Sequence, residues 1–211
     1  MSIIIGQEPG RDFRDPLGLL TDCHRRIENF LNVLHTVVRQ NRAGHLDEEH
    51  RQGLDVSLRY FRESAPKHNA DEEESLFPRM LSGSGSHRET VSQILQRLST
   101  EHRVLSSNHD EVDDLGRSWL RDDFLAAQER TRMATILQDL QQTYTRHIAT
   151  EEQDLFPLAA QILEPDDLQS ISNEMVRRRG LSLNHYEILN RAMSNAATSI
   201  TRVVPVETLH S

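Results

Sequence analysis

The sequence predicts an all-α protein, an up-down-up-down antiparallel four-helix bundle with a C-terminal helical extension. Apolar residues recur in alternating steps of three and four along four long stretches, the period of one helical face. Gly and Pro are few, 9 and 7 in 211 residues, while the strong helix formers Leu, Glu, Gln and Arg are abundant. The chain also repeats itself. His68-Asn69-Ala70-Asp71-Glu72-Glu73-Glu74-Ser75-Leu76-Phe77-Pro78 returns as His147-Ile148-Ala149-Thr150-Glu151-Glu152-Gln153-Asp154-Leu155-Phe156-Pro157, with His, two Glu and Leu-Phe-Pro in register. His24 lies 44 residues before His68 and His102 lies 45 before His147. Each repeat therefore reads as a helical hairpin with His on its first arm and His-x-x-x-Glu on its second.

Residues 1–15 mix Gly, Pro, Arg and Asp without periodicity, as a loosely attached N-terminal arm does. Asp15-Pro16 starts the first helix, acid at the cap and proline in the first turn. Its seam is Leu17, Leu20, Ile27, Leu31, Leu34 and Val38, and His24 fills the one gap. The helix is expected to fade at Asn41-Arg42-Ala43-Gly44.

Asp47 caps a second helix with the seam Leu54, Leu58, Phe61, Ala65, His68, Glu72 and Leu76. Pro66 predicts a kink or break in it, and the helix is expected to end soon after Pro78. Ser82-Gly83-Ser84-Gly85-Ser86 reads as a flexible linker. The third helix carries Val91, Leu98, His102, Leu105, His109, Val112 and Leu115, with its connection at residues 116–122. The fourth carries Met133, Leu137, Leu140, Tyr144, His147, Glu151 and Leu155, and ends near Leu163-Glu164-Pro165. The bundle thus spans 16–163. Residues 164–211 form the extension and tail: a fifth helix from Pro165 through Met175 to Arg179, stopped by Gly180, and a sixth over 181–198.

A formal charge of −9 argues against nucleic acid or an anionic membrane surface as the main partner. The single cysteine, Cys23, excludes an internal disulfide framework and suits the cytosol. No stretch reads as a signal peptide or a membrane span, so a soluble, cytoplasmic protein is expected. Arg177-Arg178-Arg179 either covers the bundle end or mediates self-association, such as a homodimer.

Four histidines and two glutamates on inward positions cost several kcal/mol each if unpaired, so something must satisfy them. Direct His–Glu bonding does so in part. A metal does so more completely, because carboxylate and neutral imidazole are both ligands for first-row cations. Positions i and i+4 share a helix face, and His24, His68 and His147 lie at matching heights from their helix ends. One layer of His24, His68, Glu72, His102, His147 and Glu151 is a coordination set for two metals. His-x-x-x-Glu alone is a weak signal, since His24/Glu28 and His45/Glu49 share the spacing.

With its Leu-Phe-Pro endings, the pattern over about residues 15–163 resembles the hemerythrin-like family, the His-His-Glu cation-binding domains. The resemblance implies two iron ions in a non-haem, carboxylate-bridged centre. Its ligands are then His24, His68, Glu72, His102, His147 and Glu151, with Glu72 and Glu151 as bridges. Where the oxygen-carrying hemerythrins place a second His four residues after the third-helix ligand, this chain has Ser106, which implies a more open iron. The implied chemistry is binding of, or reaction with, O2, NO or peroxide, in oxygen or iron sensing or in oxidative or nitrosative stress. Should the centre be catalytic, it is a di-iron oxidoreductase. Zinc or manganese in place of iron, and reversible O2 carriage without catalysis, are the alternatives.

Other residues read more simply. His109 is a core histidine or a neighbour of the ligands, Tyr144 is core with its hydroxyl near the metals, and His45 either stays in its turn or folds back as a ligand. His35, His50, His87, His185 and His210 read as surface and Cys23 as a free structural thiol off the seam; Glu73, Glu74 and Glu152 read most simply as solvated, the alternative being that the adjacent glutamates exchange for the ligands where a helix is overwound. A ferritin-like oxidase would need Glu-x-x-His on inward helices, and the only such string is Glu207/His210 in the tail.

Overall fold

The computed structural model describes residues 14–181, and the described residues are helical with no strand. The arm before residue 14, the sixth helix, His185 and His210 lie outside the described residues. Helix α1 spans Pro16–Gln40; Asp15 accepts a hydrogen bond from the Gly18 amide at 2.9 Å and Pro16 occupies the first turn. The helix ends at Asn41, whose side chain returns to the Val37 carbonyl at 2.8 Å. Asp47 likewise caps α2, Glu48–Glu63.

The break foreseen at Pro66 is present. A new helix, α3, covers Ala65–Ala70 with Pro66 in its first turn. A π turn follows over Asp71–Leu76, and then α4, Phe77–Gly83. The helix ends at Gly83, soon after Pro78 as expected, and the proline itself is accommodated because the chain widens into the π turn just before the residue that has no N–H to return to the carbonyl four back. The second repeat does the same: α6, Ala127–Thr150, opens into a π turn at Glu151–Leu155 and resumes as α7, Phe156–Ile162.

Two expected boundaries move. The Ser-Gly stretch is no loose linker, since α4 runs through Gly83 and a 3-10 turn covers Gly85–His87. The hydroxyls of Ser82 and Ser84 satisfy the carbonyls of Pro78 and Leu81, both at 3.0 Å. Helix α5, Arg88–Asp122, passes straight through Gly116. That glycine serves close approach rather than a stop, as a Cβ there would come within 2.6 Å of Leu58. The final described helix, α8, is Pro165–Arg178.

Helix α1 packs on α2 and α6, and α5 packs on the same two, so the four long helices enclose a common interior. Its apolar residues fall into two clusters. Ile27, Leu31, Leu105, Leu137 and Leu140 belong to one; Leu20, Leu76, Leu98, Leu155 and Ala159 belong to the other. On every contributing helix the boundary between clusters is a polar residue: His24 between Leu20 and Ile27, His102 between Leu98 and Leu105. Helix α8 closes the second cluster with Ile171 and Met175.

The far end of the first cluster is locked by the turn after α1. Gly44 has φ +95° and its carbonyl accepts from Trp119 Nε1 at 2.8 Å and from the Leu125 amide at 3.0 Å. A Cβ at this position would sit 2.7 Å from Phe124 and 2.8 Å from the Leu125 carbonyl. Gly44→Ala therefore combines left-handed strain with overpacking, about 2–4 kcal/mol in all. Thermal unfolding should show a midpoint lowered by roughly 5–15 °C.

Candidate metal centre

The polar layer is built from two consecutive glutamates in each π turn. A π turn rotates less per residue than an α-helix, so neighbouring side chains diverge less and can reach one target. Glu72 Oε2 lies 3.2 Å from His102 Nε2 while Glu73 Oε1 lies 2.8 Å from Nδ1 of the same ring. The second repeat copies this on His24, with Glu151 at 3.0 Å from Nε2 and Glu152 at 2.9 Å from Nδ1. Each hairpin's first-arm histidine is thus held by the other hairpin's glutamates. Within its own hairpin, His68 Nε2 meets Glu72 at 3.4 Å and His147 Nε2 meets Glu151 at 3.2 Å. His147 Nδ1 is bonded to Glu101 at 2.8 Å.

These contacts fix the tautomers. A carboxylate only accepts, so the Nδ1 atoms of His24, His102 and His147 each carry a proton, and the Nε2 atom of each ring is the one turned inward as the donor a metal would take. His102 and His147 then oppose each other Nε2 to Nε2 at 3.0 Å, an arrangement that two bare lone pairs resist. His24 Nε2 and all four carboxylate oxygens of Glu72 and Glu151 are buried without a hydrogen bond, even though nitrogens lie within 3.0–3.4 Å. Atoms so close yet misaligned for bonding one another are aimed at common points between them. Two such groups exist among the described residues: His24, His68, Glu72 and Glu151, and Glu72, His102, His147 and Glu151, with the donor atoms of each within 4.8 Å of one another. Both glutamates belong to both groups. The donors are hard and borderline, as first-row cations require, and the residues fit a metal.

Residues 15–159 match the family described as Hemerythrin HHE cation binding domain. The chain belongs to the hemerythrin HHE cation-binding family. It is also similar to an uncharacterized protein of Haemophilus influenzae, 23% identical over 167 residues that cover 79% of this chain and 91% of that protein.

The electrostatics of the HHE layer follow from its depth. Burial raises Glu72 well above the usual carboxyl range, and the facing Glu151 adds to it. Burial pushes Glu151 the same way, but the close approach of His147 and His24 outweighs it and holds Glu151 well below that range. Burial disfavours a charged His24, yet Glu151 and Glu152 push it up to about 9. His68 is driven well down, first by burial and then by the neighbouring imidazoles.

Several sequence expectations need correction. Glu73 and Glu152 are not simply solvated; they orient His102 and His24, and Glu152 also receives Arg25 at 2.6 Å. Their signal was present, because both glutamates of each repeat are duplicated in register. Glu74 is exposed and receives Arg178 at 3.1 Å. His45 does not fold back: its Nδ1 donates to the Asp123 carbonyl at 2.9 Å and its ring lies against Phe124. His50 is buried between Asp47 and Gln40 and His35 is half-buried, whereas His87 is exposed as expected. Cys23 is free and buried, its sulfur 3.7 Å from Arg26. Asp71, fully buried in the first π turn, is bonded by Arg178 and, at 2.6 Å, by Arg179, so these arginines dock α8 against the bundle.

His109 stacks on Phe61 at 4.0 Å and pairs through Nε2 with the Tyr144 hydroxyl at 3.0 Å. Burial pushes it down to about 3. An unfolded histidine protonates near 6.5. The folded pKa is the lower one, so this contribution to stability is complete above about 6.5 and is lost as pH falls through 6.5 toward 3. His109→Leu should flatten the acid side of the stability profile. In urea titrations at pH 7 and pH 5, the wild type should lose on the order of 1 kcal/mol more than the variant per pH unit below 6.5.

Proposed function

We propose that the chain holds two iron ions, one between His24 and His68 and one between His102 and His147, bridged by Glu72 and Glu151. The centre binds or reacts with O2, NO or peroxide, in oxygen or iron sensing or in the response to oxidative or nitrosative stress. The observation that carries this reading is that two four-residue donor groups share both of their glutamates. The ring of contacts among α1, α2, α5 and α6 supports the up-down-up-down bundle as its frame.

A cavity of about 160 Å³ between α2, α3, α5 and α6 supports a small molecule as the reactant. Leu58, Phe61, Leu105 and Val112 give it apolar walls, and Ser106, His109 and Tyr144 give it polar ones. Tyr144 is the wall it shares with the centre, its ring 6.5 Å from that of His147. The Tyr144 hydroxyl, held by His109, stays protonated because burial and both shared glutamates disfavour the phenolate. It can hold a small polar molecule by a hydrogen bond, while Arg62, Asp110 and Asp113 line the same cavity. Iron, when bound, supplies the electrons and the open coordination position. Ser106, on the cavity side one turn after His102, leaves the place of a further histidine vacant.

Purified protein loaded anaerobically should contain close to two irons per chain, and His68→Ala combined with His147→Ala should contain none. One zinc in place of iron, or no metal at all, sinks the reading. A cation bound only by the folded state at a hundredfold excess over its dissociation constant stabilises by about 2.7 kcal/mol. Stripped protein should accordingly melt roughly 5–10 °C below loaded protein. Stopped-flow absorbance after mixing reduced protein with oxygenated buffer should show rapid oxidation, slowed in Ser106→His. A long-lived adduct that releases O2 under vacuum, indifferent to that substitution, would make the protein a carrier.

A further inference from the structure

We infer that the two metal positions are unequal, and that the one at His24 and His68 is the weaker and more readily exchanged. The inference rests on the di-metal reading above and on one asymmetry in an otherwise duplicated site. Three of the four histidines donate Nδ1–H to a carboxylate: His24 to Glu152 at 2.9 Å, His102 to Glu73 at 2.8 Å, His147 to Glu101 at 2.8 Å. The fourth does not. His68 Nδ1 is buried and has no hydrogen-bond partner.

The repeat explains the gap. The step that carries His24 onto His102 carries position 23 onto position 101, so the place that gives His147 its glutamate is filled in the first copy by Cys23. A thiol is shorter than a glutamate side chain and a far weaker acceptor. This one is occupied elsewhere, since its sulfur lies 3.7 Å from Arg26 and against Arg179, which is itself anchored on Asp71. The neighbourhood of Cys23 thus offers guanidinium donors where the matching neighbourhood of His147 offers a carboxylate.

The consequence is chemical. An imidazole that donates Nδ1–H to a carboxylate is oriented by it and becomes more basic at Nε2, and loss of such a partner typically costs 10–100-fold in metal affinity. To bind through Nε2, His68 must keep its Nδ1–H buried with nothing to receive it. His24 and His102 are matched, each with two glutamates of the opposite hairpin, so the difference falls on His68 against His147. The position of His102 and His147 fills first; that of His24 and His68 fills last and empties first.

Two metals side by side repel, so the clean comparison uses proteins with one position each. His68→Ala keeps the His102/His147 position and His147→Ala keeps the His24/His68 position. With Zn(II) as the probe, competed against a chromophoric chelator, His68→Ala should bind one ion 10–100-fold more tightly than His147→Ala. Adding Glu101→Gln to His68→Ala, a change at a partly exposed residue, should erase that advantage, whereas Glu28→Gln on the same background should leave it. Equal affinities in the two single-position proteins, with the unaltered chain still holding two ions at saturation, would overturn the inequality alone. An unaltered chain that saturates with fewer than two ions overturns the inequality together with the two-metal reading.

Discussion

The structure depends on one electrostatic constraint. Two carboxylates and four imidazoles sit fully or almost fully out of water in the middle of an apolar bundle. Such groups are tolerated only when their charges and lone pairs are matched within the protein or by a cation. The layer cuts the core into two apolar clusters, and these walls make each polar contact stronger by excluding water from it. The two π turns on the second arms of the repeat lie at this layer. They bring successive glutamates onto the two nitrogens of one ring.

The site is also a tie between the halves of the chain. Because His24 is held by Glu151 and Glu152 and His102 by Glu72 and Glu73, neither hairpin contains a complete set of partners for its own histidines. The duplication is therefore an exchange rather than two sites side by side. Helix α8 adds a second anchor on one copy alone, through Arg178, Arg179 and Asp71. The second copy has Thr150 at the position of Asp71, so it has no carboxylate there for such an anchor.

What the sequence revealed and what it hid divide along physical lines. Helical periodicity and caps are local, so α1, α2 and the break at Pro66 were legible, as was the six-residue layer through its duplication. The π turns were not legible, because an i to i+5 ladder leaves no composition signal; only Leu-Phe-Pro marked the place. Gly116 misled because a glycine required by the close approach of Leu58 looks like one required by a turn. Glu73 and Glu152 were discounted as solvated since their partners lie on the other hairpin, a distance that no local pattern records. His50 was discounted for the opposite reason: its partners, Asp47 and Gln40, are near in sequence but belong to a turn whose closure is not periodic.

The exchange between hairpins has a consequence for how the protein is made. His24 and Glu152 are separated by 128 residues along the chain. At ~5–20 residues per second on the ribosome, the first histidine is synthesised roughly 6–26 seconds before its carboxylate partner exists. During that interval the nascent chain can offer a cation His24, His68 and Glu72 but neither Glu151 nor Glu152. A cation captured then meets half a cradle, and full loading must wait until the last arm of the second hairpin has left the exit tunnel and closed on the first.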